Sequence, residues 1–214
     1  MSYYVDKQTY SERQAYRYRI HDEAEQVCYL AEPTGLFLPT PSRLVTLFNA
    51  DHEPVGQLEP PPSSWRRGGE YVLRLGEEEP PYAVIEERWG LVDLILLRLP
   101  RYVLRLGEHA YIAQGSRYGA RLYEMFPLPP DVEEEWPGQG GDEPEAARLG
   151  EEEMRRALGV AQRTPTQEPM GQISHPERGP HYLVEIETGP LQQTPLVLIA
   201  LVVLVDLHLH GHFA

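Results

Sequence analysis

The sequence predicts a mainly β fold: a closed antiparallel barrel of ten or more short strands wrapped around a hydrophobic C-terminal helix. Three observations carry this. Apolar residues alternate with polar ones in short runs separated by Asp, Asn, Gly and Pro turns over most of the first 126 residues. No long helical period interrupts these runs. The chain then closes on PLVLIALVVLVDLHLHGHFA, where Leu196 to Val205 are ten consecutive apolar residues.

The strands follow in order. Tyr16 to Ile20 alternate aromatic or apolar residues with Arg, His21 to Glu25 turn, and Val27 to Ala31 return. Leu44 to Phe48 and Val55 to Leu58 form a second hairpin across Asn49 to Pro54, closed by a run of three prolines. A third runs from Tyr71 to Leu75 and back through Tyr82 to Glu86. Val92 to Leu97, Tyr102 to Leu106, Ala110 to Ala113 and Ala120 to Phe126 read as further strands. The word YVLRLGE stands at both Tyr71 and Tyr102, which suggests an internal repeat.

After Phe126 the texture changes. Residues 127–180 are rich in Pro, Gly and acid, and such a segment buries too little apolar surface to offset its ordering entropy, so it reads as an exposed insertion. Within it, Glu145 to Val160 has the pattern of a short helix, with Leu149, Met154, Ala157 and Leu158 on one side. His181 to Gly189 is one more strand. The whole chain, 1–214, therefore reads as one domain, with 194–209 as its central helix.

Why should that helix lie inside? A bilayer span needs about 20 apolar residues, whereas runs of about 10–14 are more often core helices. Thr194 can serve as N-cap and Pro195 fits the first turn, where its missing N–H is not needed. A helix with no polar face must be enclosed. Leu196, Leu198, Leu201, Val202, Val205 and Asp206 are its expected core positions. Burying about eight Leu, Val and Ile side chains at roughly 1.5–3 kcal/mol each is worth on the order of 12–24 kcal/mol gross.

The formal net charge is −14, and with no basic excess to displace counterions, nucleic acid is not an expected partner. Between Asp131 and Glu153 lie ten acids and one base, so most of the charge is local. Cys28 is the one cysteine, which rules out an internal disulfide, and the N-terminal MSYYVDKQTY lacks the basic and apolar regions of a signal peptide. A cytoplasmic protein, peripheral to a membrane at most, is the expectation.

Taken together, YRIHDEAEQVCYLAEP, LVTLFNADHEPVGQLEPP and YLVEIETGPLQQTPLVLIALVVLVD resemble the tubby C-terminal-like superfamily, in its LURP-one-related and phospholipid-scramblase-like branch. The likeness covers roughly Tyr16 to Phe126 and His181 to Asp206. It implies a barrel of twelve strands around a central C-terminal helix. Two departures stand out. Where scramblases carry an acidic calcium-binding segment before the last helix, this chain reads ETGPLQQTP, which lacks the oxygen ligands calcium needs. The cysteine-rich palmitoylation stretch and the proline-rich N-terminal tail are also missing.

Candidate chemistry is sparse. Asp206 reads either as a functional acid inside the barrel or as a structural carboxylate at its mouth, bonded to backbone or paired with an Arg; the structural reading is favoured. His208, His210 and His212 resemble metal ligands on paper, but no third ligand has a defined spacing, and solvated imidazoles at a helix C-terminus explain them as well. No metal or cofactor is expected. His21, Asp22 and Glu23 read as turn residues rather than a catalytic cluster. Ser116 lacks a GxSxG elbow, and neither GxxxxGK[ST] nor GxGxxG occurs. Trp65, Arg66 and Arg67 could touch a lipid headgroup at about 1 kcal/mol per charge, or form a plain exposed loop. Arg98, Arg101 and Arg105 form either a basic stripe or the outer row of a barrel.

The function these residues imply is that of a non-enzymatic LURP-one/scramblase-like module that binds a protein partner or a phospholipid surface. A membrane-anchored scramblase or lipid-transfer protein, with the C-terminal helix as anchor, is the alternative. An enzyme working at the barrel mouth carries the least weight.

Overall fold

In a computed structural model, alternation along the strands closes into a barrel. The structure describes residues 1–9, 16–33, 44–61, 69–76, 80–88, 99–115, 121–128, 168–175, 181–187 and 189–210. Its strands are β1 (Ser2–Thr9), β2 (Tyr16–Asp22), β3 (Val27–Pro33), β4 (Val45–Asn49), β5 (Pro54–Glu59) and β6 (Glu70–Arg74). They continue with β7 (Ala83–Arg88), β8 (Arg101–Leu106), β9 (His109–Gly115), β10 (Arg121–Pro127), β11 (Gly171–Ser174) and β12 (His181–Ile186). A 3-10 turn, Pro190–Gln193, leads into the helix α1 (Pro195–His210).

Each strand pairs antiparallel with its neighbours in sequence, and β1 closes the ring on β12 with Ser2 opposite Glu185 and Asp6 opposite His181. Closure has a parity condition: a ring in which every neighbour is antiparallel needs an even number of strands. Two of the twelve are not disclosed by the alternation pattern, β1 at the N-terminus and the four-residue β11 inside the span read as insertion. Strands β10 and β12 run the same way, so β11 must stand between them. Val92 to Leu97, read as a strand, lies outside the described residues, and β7 pairs directly with β8. Glu145 to Val160, Trp65, Arg66, Arg67, Arg98, Ser116 and His212 also lie outside them.

The hairpin turns follow their chemistry. Asp22 Oδ1 accepts the backbone N–H of Ala24 at 2.9 Å and of Gln26 at 3.0 Å; Asn49 Oδ1 does the same for Asp51 at 3.0 Å and Glu53 at 2.9 Å. In each turn the residue three places on, Glu25 or His52, takes a positive φ. The β2–β3 and β4–β5 hairpins are thus built alike, each side chain replacing a turn bond. The repeated YVLRLGE words also share a conformation: each places Tyr and Leu inward from a strand and ends on a glycine of positive φ, Gly76 or Gly107.

Barrel width grows roughly in proportion to strand number, and eight strands are filled by their own side chains. Twelve leave room for a helix of about 10–12 Å diameter. Helix α1 occupies it. From Val197 to Val205 every residue is at most 1% exposed, and Leu207 is 3% exposed. Leu198, Leu201, Val202, Val205 and Asp206 are buried, while Leu196 at the rim is partly buried. All sides of the helix face protein, which satisfies a run with no polar face. Among the described residues no helix is long and apolar enough to cross a membrane.

Ala31, Ala83 and Ala113 lie in the core, and Gly56 on β5 is required by its neighbouring strand, because a Cβ there would sit 2.6 Å from the Arg74 carbonyl oxygen of β6. Thr194 does not cap forward. Its hydroxyl turns back to the carbonyls of Pro190 at 3.3 Å and Leu191 at 3.4 Å, while its own carbonyl accepts the Val197 N–H at 3.1 Å.

Candidate functional site

Because β12 feeds the helix through a tight turn, α1 runs back through the barrel antiparallel to β12. Its last turns therefore reach the end of the barrel where β1 finishes and β2 and β12 begin; we call this the lower end. Asp206 lies there, 2% exposed. Lys7 Nζ donates to its Oδ2 at 2.7 Å, Tyr18 hydroxyl to the same oxygen at 2.5 Å, and Tyr182 hydroxyl to Oδ1 at 2.7 Å. Three strands thereby grip the helix through one carboxylate. The Lys7 ammonium also sits 6.0 Å from the Tyr18 ring centre, and the His175 ring packs on Tyr182 at 4.3 Å.

Burial pushes the Asp206 carboxyl upward, but hydrogen bonds from Lys7, Tyr18 and Tyr182, with the Lys7 charge, outweigh it and hold the group below the ordinary carboxylate range. Asp206 is therefore ionised, with both oxygens engaged. Such a carboxylate has no proton to give, and it takes one only at the cost of its ion pair with Lys7. The arrangement does what a clasp does. The cation on it is Lys7, where the sequence suggested backbone or an Arg. The signal was present: Tyr3, Val5 and Lys7 share one face of β1, so the lysine continues a buried row.

A second polar group lines the same end. Glu87, 9% exposed, lies at the end of β7 beside Tyr71 and Tyr102, and Tyr123 donates to the Pro100 carbonyl at 3.0 Å. The Tyr102 and Tyr123 rings tilt together at 5.6 Å. Burial raises the phenols of Tyr71, Tyr102 and Tyr182 well above their usual range, aided by Glu87 beside Tyr71, by Tyr123 and Glu87 beside Tyr102, and by Asp206 beside Tyr182. Tyr3, at the upper end, is pushed up to about 12, chiefly by burial.

These shifts have a sign. A phenol that holds its proton more tightly when folded contributes stability that is complete below the unfolded value of about 10 and is lost as pH rises through the folded value. Alkaline titration should thus show tyrosinate absorbance and loss of β circular dichroism rising together above about pH 10. Full tyrosinate absorbance while the barrel remains folded would contradict it.

At the upper end, a cleft of about 780 Å³ opens among Tyr82, Leu106, His109, Gln192, Gln193 and Thr194. Among the described residues its lining holds the Tyr82 phenol, the His109 imidazole, the Gln192 and Gln193 amides and the Thr194 hydroxyl. The outer wall holds ion pairs: Arg74 with Glu59 across β5 and β6 at 3.2 Å, and Glu86 shared by Arg88 on its own strand at 2.8 Å and Arg105 on the neighbouring strand at 3.1 Å. Arg105 thus belongs to the outer row of the barrel. His21 and Asp22 end β2, and Glu23 is exposed in the turn. The Cys28 thiol is raised by burial and then by Asp22, so it is a poor nucleophile.

No protein-family model, curated protein or solved structure matches this chain. The site is read from its own chemistry.

Proposed function

We propose that this chain is a non-enzymatic binding module of the tubby C-terminal-like kind, in the LURP-one/scramblase-like branch, that docks on a phospholipid surface or a protein partner. The observation that supports it most is the enclosed helix clasped through Asp206, whose two carboxylate oxygens are taken up by Lys7, Tyr18 and Tyr182 of the barrel wall. The architecture also matches the twelve strands and central helix that the resemblance implies. Binding then falls to the outer wall and the loops, with Trp65, Arg66 and Arg67 as the lipid-facing residues in this reading.

Flotation of the full chain with vesicles of phosphatidylcholine, alone or with phosphatidylserine or a phosphoinositide, tests it. Binding is expected to the anionic vesicles and to weaken with salt. Replacing both Arg66 and Arg67 by Ser should cost about 1 kcal/mol per charge, on the order of 30-fold in affinity. The absence of binding to any vesicle at low salt would remove the lipid surface and leave the protein partner. Turnover lost in an Asp206→Asn variant that remains folded would overturn the non-enzymatic reading.

A further inference from the structure

The upper mouth of the barrel holds a cleft that the binding reading does not use. Three separate parts of the chain meet there: Tyr82 just ahead of β7, His109 at the start of β9, and the 3-10 turn with Gln192, Gln193 and Thr194 that leads into α1. Its volume of about 780 Å³ lies within the range of small-molecule sites, about 300–1,000 Å³.

The 3-10 turn is tied down on the core. Leu191 within it is fully buried, Gln192 N–H donates to the Gly189 carbonyl, and Thr194 N–H donates to the Leu191 carbonyl, both at 3.1 Å. Two side chains are tied in as well. Carbonyls only accept, so the Thr194 hydroxyl gives its hydrogen to Pro190 or Leu191, at 3.3 Å and 3.4 Å, and keeps only lone pairs for anything else. For the same reason Gln192 turns Nε2 to the Glu187 carbonyl, which leaves Oε1 and one N–H to serve the cleft.

A ligand here therefore has to give hydrogen bonds as well as take them. The Thr194 oxygen and Gln192 Oε1 need donors, whereas the Gln193 amide and the Tyr82 phenol also have hydrogens to offer. Ionised phosphates and carboxylates only accept and ammonium groups only donate, but an alcohol hydroxyl does both. The ring of the partly buried Tyr82 adds an apolar surface for the C–H face of a pyranose. We propose that the upper cleft binds a neutral monosaccharide unit between Tyr82 and the Gln192–Thr194 turn. Because the turn is already tied, binding orders little of the protein, which favours even a small ligand. The site does not depend on the lipid surface or protein partner read above.

Saturation-transfer NMR on the full chain with methyl α-glucoside, methyl α-mannoside and methyl β-galactoside tests this. At least one should receive saturation, with a Kd on the order of 1 mM, as a ligand of about a dozen heavy atoms does at ordinary efficiency. Inorganic phosphate and choline at equal concentration should not displace it. Gln193→Ala, at an exposed position, and Tyr82→Leu, which keeps apolar bulk but loses the ring and the phenol, should each weaken binding about fivefold or more while still melting cooperatively. Absence of transfer to all three glycosides at about ten times that Kd would overturn the site, as would displacement by phosphate or choline, or unchanged affinity in either variant.

Discussion

Leu201→Asp is expected to abolish the fold. Leu201 lies midway along α1 at 0% exposure, with helix neighbours on either side that are equally buried. A carboxylate there finds no partner in the apolar layer around it. It must stay charged in a medium that penalises charge or take up a proton and leave a polar group unsatisfied. Either cost compares with the 5–15 kcal/mol that stabilises a whole domain. The barrel cannot discard the helix instead, because its inward faces are shaped around it and would be opened to water. Far-ultraviolet circular dichroism and the soluble yield of the full chain give the readout. Leu201→Ala, which removes about three methyl equivalents without adding a charge, should cost about 2–5 kcal/mol and still fold. A Leu201→Asp chain that melts like the parent would mean that the helix is not central to the core.

The second large effect is at the clasp. Asp206→Leu keeps the branching and the number of side-chain heavy atoms but removes the carboxylate to which the Tyr18 and Tyr182 hydroxyls and Lys7 donate. Breaking one side of a buried pair costs about 3–5 kcal/mol, since the orphaned groups stay desolvated. Asp206→Asn retains an acceptor for one tyrosine and should lose less. The pH dependence provides a check that mere repacking would not reproduce. Because the folded-state carboxyl is held below its ordinary range, its contribution is complete above about pH 4 and is lost as pH falls through the folded value. The stability gap between parent and Asp206→Leu, measured by urea melts, should therefore be widest near neutrality and shrink in acid. A gap that is constant from pH 7 to the acid limb would show that the charge on Asp206 does not matter.

Particular residues show how far local pattern reaches. Alternation in Tyr16 to Ile20, Val27 to Ala31 and Tyr102 to Leu106 locates strands, since period-two burial is written into consecutive residues. The Asp22 and Asn49 turns are legible for the same reason: the side chain bonds backbone groups two and four residues on. Strand β11 hides because GQIS has four residues and a single large apolar one, in a stretch whose composition suggests no packing at all. It exists because β10 and β12 require a neighbour between them. Strand β1 hides because polar residues interrupt it, including a lysine on its inward face.

The clasp was half legible. A lone acid in a greasy helix announces that it needs partners, and Asp206 does so without any structure. Which partners it takes depends on closure: Lys7 is 199 positions away in sequence and Tyr18 188 away, brought to the helix only because β1 returns to β12. On the outer face of the seam, His181 and Asp6 meet at 175 positions' separation for the same reason. Local order in this chain, strands, turns and the apolar helix, follows from neighbours within one turn or one pleat. Its polar sites come from ring closure, because a ring joins its first strand to its last and places side chains together that no short-range pattern relates.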